Sequence, residues 1–278
     1  MKYTCLVTVL VVLTASATFG SPGEYPLIPG TVALWHMNEG SGSQIGDASG
    51  NNHYASFNGS PYWPTWDTGL HGGGGIHLQQ DKSSPSPATG TGAGAIINGG
   101  NLLDLETFTL QMHFNWDGGS GFVNPGDNYA GHLFRDFFGV EVRTHAYSGD
   151  QYYIKFLNNY NTGWQELTYH ETLVPPTDPD GGRLDAGTWY EFTFIREKQG
   201  NGTTTTSIWI DGIPRVSHNF TGTHWGGGSA GFGHVQSSSN YTPPGGLDEA
   251  RVLDFAIPEP ATMSLLALGG LLLRRRRA

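Results

Sequence analysis

Apolar and polar residues alternate strictly over residues 107–116, where Phe108, Leu110, Met112, Phe114 and Trp116 interleave with Thr109, Gln111, His113 and Asn115. Successive side chains of an extended strand point to opposite faces, so a period of two predicts a strand with one core face and one polar face. The same alternation groups Tyr190, Phe192 and Phe194 within residues 188–195, and Ile208 with Ile210 within residues 204–211. Asp211-Gly212 predicts a two-residue hairpin turn into a strand over 213–220. Further strands are predicted over 31–37, 76–78, 139–143, 152–157, 164–169, 229–235 and 246–255, while 72–75 and 83–100, rich in Gly, Ser, Pro, Ala and Thr, read as loops. About a dozen short strands with no sustained helical period predict an all-β body of two packed antiparallel sheets, with a closed barrel as the alternative.

The two ends break this pattern. Met1-Lys2-Tyr3-Thr4 precedes an apolar run over 5–13 and then Ala15-Ser16-Ala17, the small-x-small form of a signal-peptidase site. This predicts a signal peptide over 1–17, with cleavage at Ala17 or as late as residue 20; the run is about half of what a membrane-spanning helix needs. Residues 18–30, with Pro22, Gly23, Pro26, Pro29 and Gly30, read as a linker, and the body runs from Thr31 to Ile257. Behind it stand Pro258-Glu259-Pro260, an apolar segment over 261–273, and Arg274, Arg275, Arg276 and Arg277. A helix over that segment would be about 20 Å long, against a hydrocarbon core of roughly 30 Å, with arginine snorkelling extending its reach. Four consecutive arginines resist translocation and hold the tail on the cytoplasmic side. Short hydrophobic helices are therefore expected at both ends.

Composition agrees with a turn-rich β protein: 42 of 278 residues are Gly and only 14% are charged. No repeat of 20–50 residues is present, which argues against a propeller or solenoid. The only cysteine, Cys5, lies in the leader, so the exported body forms no disulfide and relies on a packed core, for which about 240 residues suffice. Of 14 Lys plus Arg and 24 Asp plus Glu, Lys2, Glu259 and the four terminal arginines belong to the ends, leaving 9 basic against 23 acidic residues. That charge of about −14 offers no footprint for phosphate backbones and argues against nucleic acid, while suiting an extracellular setting with divalent cations.

No catalytic residue is assigned. A glycosidase strand of the Glu-x-Asp-x-x-Glu form, which would set carboxylates on one face, is absent, and Asp104-Leu105-Glu106 reads as a solvated turn. The eleven histidines form neither His-Glu-x-x-His nor His-x-His. Glu39-Gly40-Ser41-Gly42-Ser43 lacks the second glycine of a nucleophile elbow and reads as a turn. Aromatic platforms that could stack on sugar rings are Trp63, Trp66, Tyr129, Tyr160, Trp164 and Trp225, whereas Trp35, Trp116 and Trp189 are assigned to packing.

Two resemblances rest on these residues. Pro258-Glu259-Pro260, the hydrophobic segment and the Arg cluster closely resemble the PEP-CTERM sorting signal, which implies sorting to the surface by an exosortase, a membrane-embedded protease acting near the Pro-Glu-Pro. Four motifs resemble the laminin-G-like domains. They are the opening segment over 32–42 with Asp47-Ala48-Ser49-Gly50-Asn51, then Gly187-Thr188-Trp189, then Ile208-Trp209-Ile210-Asp211-Gly212, and last Gly246-Leu247-Asp248-Glu249-Ala250-Arg251-Val252. Met37 stands where that family usually has phenylalanine. The resemblance implies a concanavalin A-like jelly-roll sandwich over residues 31–257. It also implies a structural calcium ion where the first and last strands meet, at Glu39 and Asp248, with Asp47 a weaker ligand. In the alternative, Asp248 and Glu249 pair with Arg251 or cap a turn. The expected function is a non-catalytic surface or matrix protein that recognises glycans or protein partners. The alternatives are a divergent glycoside hydrolase or lyase with carboxylates from separate strands, or a purely structural coat protein.

Overall fold

The computed structural model describes residues 23–58, 63–70, 72, 74–79, 94–100, 102–118, 131–136, 140–148, 151–160, 163–169, 184–222, 228–233 and 243–258. Among them are seventeen strands and no helix; both expected terminal helices lie outside the described residues. The first sheet runs β15 (Ile213–Thr221), β14 (Thr203–Ile210), β13 (Trp189–Lys198), β7 (Phe108–Trp116), β17 (Gly245–Leu253), β5 (Gly75–Leu78) and β4 (Thr65–Asp67), and β1 (Thr31–Trp35) also pairs with β17. The second runs β11 (Gly163–Tyr169), β10 (Gln151–Tyr160), β9 (Val140–Ser148), β8 (Gly131–Asp136), β16 (Ala230–Gly233), β6 (Gly94–Ile97), β3 (Ala55–Asn58) and β2 (Gln44–Ile45), with β12 (Leu184–Asp185) also on β10. Every pairing is antiparallel, and consecutive strands such as β9, β10 and β11 form hairpins while β17 returns between β7 and β1. This is the open two-sheet solution rather than the closed barrel.

The alternating apolar residues meet between the sheets. From the first sheet come Trp35, Phe108, Leu110, Met112, Phe114, Trp116, Phe192 and Phe194, and from the second Phe134, Tyr152, Phe156 and Phe232, all fully buried. Rings cross the interface edge to face: Trp35 on Phe232 at 5.1 Å, Phe108 on Phe156 at 6.2 Å, and Trp116 on Tyr152 at 5.0 Å between centroids. Such pairs add about 0.5–1.5 kcal/mol beyond the area they bury. Buried Arg196 shares this interior. Its guanidinium stacks 4.5 Å from the Phe108 ring and donates to the Leu103 and Leu105 carbonyls and to Asn158 Oδ1.

Asp211 and Gly212 both have positive φ (53° and 70°), as the two-residue turn between β14 and β15 requires. One expectation needs correction. The stretch 83–100 is not loop throughout, because residues 94–97 form β6, paired on one side with β16 and on the other with β3. Ladder partners on both sides override the weak local propensity of Gly-Ala-Ile-Ile. The other face of β7 is polar, as expected, and it is covered: Thr109, Gln111 and His113 are 0%, 6% and 8% exposed. At one end Thr109 donates to the Phe255 carbonyl at 2.7 Å and accepts from the Ile257 amide at 3.1 Å, so the chain after β17 covers it. At the other end the cover is the segment before β1.

Phe156 contacts both Phe108 and Phe194, the latter at 5.3 Å between centroids, and its ring has no exposed surface. Phe156→Ala is expected to cost about 3–5 kcal/mol, read in urea as a lower midpoint at unchanged slope.

Candidate functional site

The outer face of the first sheet carries a cluster of buried charged and polar residues, and one backbone irregularity places two of them. Along β17, Leu247, Ala250 and Val252 point to the core opposite Phe114, Met112 and Leu110 of β7. An extra residue interrupts the ladder between Asp248 and Ala250, and Glu249 takes a left-handed φ of 48°. This β-bulge leaves Asp248 opposite His113 and brings Glu249 out beside it, both 1% exposed. A non-glycine residue held at positive φ is strained, and such strain concentrates where a side chain must be aimed.

Glu249 accepts from the Tyr25 amide at 3.1 Å and lies 2.9 Å from His36 Nδ1. Arg251 donates from Nε to Gln111 Oε1 at 2.7 Å and from Nη1 to the Pro26 carbonyl at 3.2 Å. Gln111 in turn donates to Glu191 Oε1 at 3.2 Å and Thr193 Oγ1 at 3.0 Å, and His113 Nε2 stands 3.7 Å from Glu191 Oε2. The Tyr25 ring closes the arrangement, stacked on His113 with centroids 5.2 Å apart and lying 4.5 Å from the Arg251 guanidinium carbon. The Glu249 hydrogen bond raises His36 above the ordinary histidine value, against the opposing effect of burial. Burial pushes the Glu191 carboxyl up; Arg251 pulls the other way and Asp211 adds to the rise. Chemically the face can hold a backbone amide with Glu249, a carbonyl with Arg251, and a flat ring between His113 and Arg251.

The residues predicted from sequence are dispersed. Trp63 is 46% exposed. Trp66, on β4, packs its ring against Phe57 at 5.3 Å and donates from Nε1 to the Gly42 carbonyl at 2.9 Å, so it is held as much by the fold as by any ligand. Tyr129 and Trp225 lie outside the described residues, as do the side chains of Tyr160 and Trp164. Glu106 forms an exposed ion pair with Lys198, in keeping with a solvated turn.

Asp47, Glu39 and Asp248 do three different things. Asp47 Oδ1 accepts from the Leu34 and Ser49 amides and Oδ2 from the His53 amide, at 2.8–3.1 Å, stapling the 47–53 loop to β1. Burial would raise its pKa, but the Ser49 hydroxyl together with these amide hydrogen bonds outweighs burial and holds it below the ordinary value. Glu39 is exposed and accepts from the Gly46 amide at 2.7 Å, closing its own loop. Asp248 Oδ2 accepts from the Leu70 amide at 2.8 Å. Among the described residues no group of three or more His, Cys, Asp or Glu gathers as a metal-ligand set.

His36, Gln111, His113, Glu191 and Tyr25 were not singled out from sequence. One signal was legible: the apolar spacing Leu247, Ala250, Val252 is three and then two, which marks an inserted residue at Asp248-Glu249. Nothing local marks Tyr25.

Residues 256–277 match the PEP-CTERM protein-sorting motif. That motif implies exosortase-dependent export, with membrane anchoring before sorting to the cell surface. Among the described residues no helix is long and apolar enough to cross a membrane, and the segment 261–273 lies outside them. No curated protein matches the sequence. Solved structures do match the fold. The Botulinum Neurotoxin Type G Receptor Binding Domain aligns at TM-score 0.53 and 11% identity, over 83% of this chain and 49% of that one. The binding domain of Paraclostridial Mosquitocidal Protein 1 aligns at TM-score 0.55 and 13% identity, over 85% and 51%. Domain 4 of AbnA, a GH43 extracellular arabinanase from Geobacillus stearothermophilus, in complex with arabinotriose, aligns at TM-score 0.51 and 14% identity, over 82% and 94%. The chain spans about half the length of the toxin binding domains it matches. The chain thus carries a PEP-CTERM sorting motif behind an all-β, antiparallel body similar to jelly-roll binding domains.

The His36–Glu249 contact has a pH signature. Because the folded-state value of His36 is raised, its stabilisation is fully present below the unfolded value, near 6.5, and is lost as pH rises through the folded value. The Tm gap between the chain and His36→Asn is expected to be widest near pH 6 and to narrow toward pH 8, measured by thermal unfolding across that range.

Proposed function

We propose that the exported chain is a non-catalytic binding protein displayed at the cell surface, and that it takes an extended glycan on aromatic residues of its jelly roll. The observation that carries this reading is Trp63. Its indole is 46% exposed and comes just before β4, whose Trp66 anchors that strand to Phe57 and Gly42. A large flat apolar side chain left in water next to a fixed strand suits stacking on a sugar ring. Likeness to a domain solved with arabinotriose supports the ligand class as a fold-level analogy. Against the hydrolase reading, Glu249 already holds Tyr25 and His36, and Tyr25 covers the face it shares with Glu191.

The calcium expectation belongs to the same proposal, with Asp248 as its carboxylate. A Cβ on Gly69 would come within 2.8 Å of Asp248 Oδ2, and one on Gly74 within 2.8 Å of the Met37 carbonyl oxygen. Glycines at both places let Gly69 come close to the Asp248 carboxylate and Gly74 to the Met37 carbonyl just after β1, and we place the ion among such oxygens. Hard oxygen donors of that kind fit Ca²⁺, which takes carbonyl and carboxylate oxygens with little geometric demand.

On a glycan array the chain is expected to bind a polysaccharide class in calcium, with Trp63→Ala weakening it about tenfold or more, on the order of 1.4 kcal/mol. A blank array would favour the structural coat reading. Polysaccharide cleavage abolished by Glu191→Gln would instead establish an enzyme. Calcium is expected to raise the Tm of the chain but not of Asp248→Asn, followed by calorimetry with and without chelator.

A further inference from the structure

The segment before β1 crosses the charged face of the first sheet without joining its ladder. Residues 24–28 lie in no strand and are gripped through side chains. Asn38 Nδ2 donates to Glu24 Oε1 at 2.8 Å, Glu249 takes the Tyr25 amide, Arg251 holds the Pro26 carbonyl, and the Tyr25 ring fills the space between His113 and Arg251. One amide, one carbonyl and one aromatic side chain are thus recognised in order along an extended segment. This is how peptide-binding sites read a chain: main-chain contacts supply affinity and a pocket for one side chain supplies selectivity.

Three observations separate a recognition site from a permanent lid. The covered floor is polar and charged, with Gln111, His113, Arg251 and Glu249 between 1% and 9% exposed. Apolar residues of similar volume would hold a fixed lid at less desolvation cost. The Tyr25 hydroxyl is buried with no hydrogen-bond partner among the described residues although the residue is 7% exposed, so the ring fits the slot while its polar end gains nothing from them. Finally, the carboxylate that takes the Tyr25 amide sits on the strained bulge at Glu249.

We propose that this slot is a peptide-binding site for an extended segment bearing an aromatic residue followed by proline. The chain's own Tyr25-Pro26 fills it in cis, and the same segment of a second copy fills it in trans. The site and ligand class are separate from the glycan reading, and neither depends on the other. Tethering gives the cis segment an effective concentration on the order of millimolar, so the trans segment gains access only when the cis one is disabled or outcompeted.

A fluorescent peptide with the sequence of residues 23–30, Gly-Glu-Tyr-Pro-Leu-Ile-Pro-Gly, tests this against the full exported chain. Saturable binding to Tyr25→Ala, at least about tenfold tighter than to the unsubstituted chain and lost when the peptide's own tyrosine is alanine, is the expected result. A folded Tyr25→Ala chain that binds neither peptide, or both equally, overturns the proposal. Should that variant not fold, hydrogen exchange of the Tyr25 amide in the unsubstituted chain decides. Exchange accelerated by millimolar tyrosine peptide but not by its alanine form supports the site, and exchange unchanged by either overturns it.

Discussion

The bulge in β17 is the constraint on which the arrangement of the outer face depends. β17 is flanked along its length, by β7 on one side and by β5 and β1 on the other. A one-residue slip in such a strand would turn its entire apolar set to the wrong face. The extra residue at Glu249 absorbs the slip locally, so Leu247 and Ala250 both stay in the core while two adjacent carboxylates are delivered to the other side. Replacing the bulge with regular strand would send either the acids inward or the apolar residues outward.

Placing buried charge on that face forces a second consequence, since charge removed from water must be paired and hydrogen-bonded. The pairing is distributed: Glu249 on His36 and the Tyr25 amide, Arg251 on Gln111 and Pro26, Glu191 on Gln111 and near His113. The segments on either side of the body complete it, one over Arg251 and the other over Thr109, and they meet where Asp254 donates its amide to the Gly30 carbonyl at 2.9 Å. Gly30, at φ 85°, permits that contact because a Cβ would strike Asp254 and Phe255. The chain therefore enters and leaves the sandwich at one place, and the sorting motif that starts at residue 256 begins beside the segment that carries Tyr25.

The segment before β1 therefore lies folded over the body next to the residues where the C-terminal sorting motif begins. The buried aromatic interface packs the two sheets of that body together without disulfides, the only cysteine lying at position 5.

The sequence by itself determined the class of fold, because alternation with period two over residues 107–116 and 188–195 and a glycine hairpin at Asp211-Gly212 are properties of the chain's local geometry. It also determined the sorting motif, which reads as a linear signal. Short strands such as Gln44–Ile45 and Gly94–Ile97 were illegible because their stability comes from ladder partners distant in sequence, not from their own residues. The Asp-Ala-Ser-Gly-Asn loop could be recognised but its role could not: only the fold shows three backbone amides converging on Asp47. The charged face was decided entirely by tertiary structure, for Tyr25, His36, Gln111, Glu191 and Glu249 are scattered over more than 200 positions and meet through the register of β7, β13 and β17 and through the segments that flank β1. Local pattern reports which face of a strand a side chain takes. Which distant side chains share that face, and what covers them, follows from how the strands are ordered.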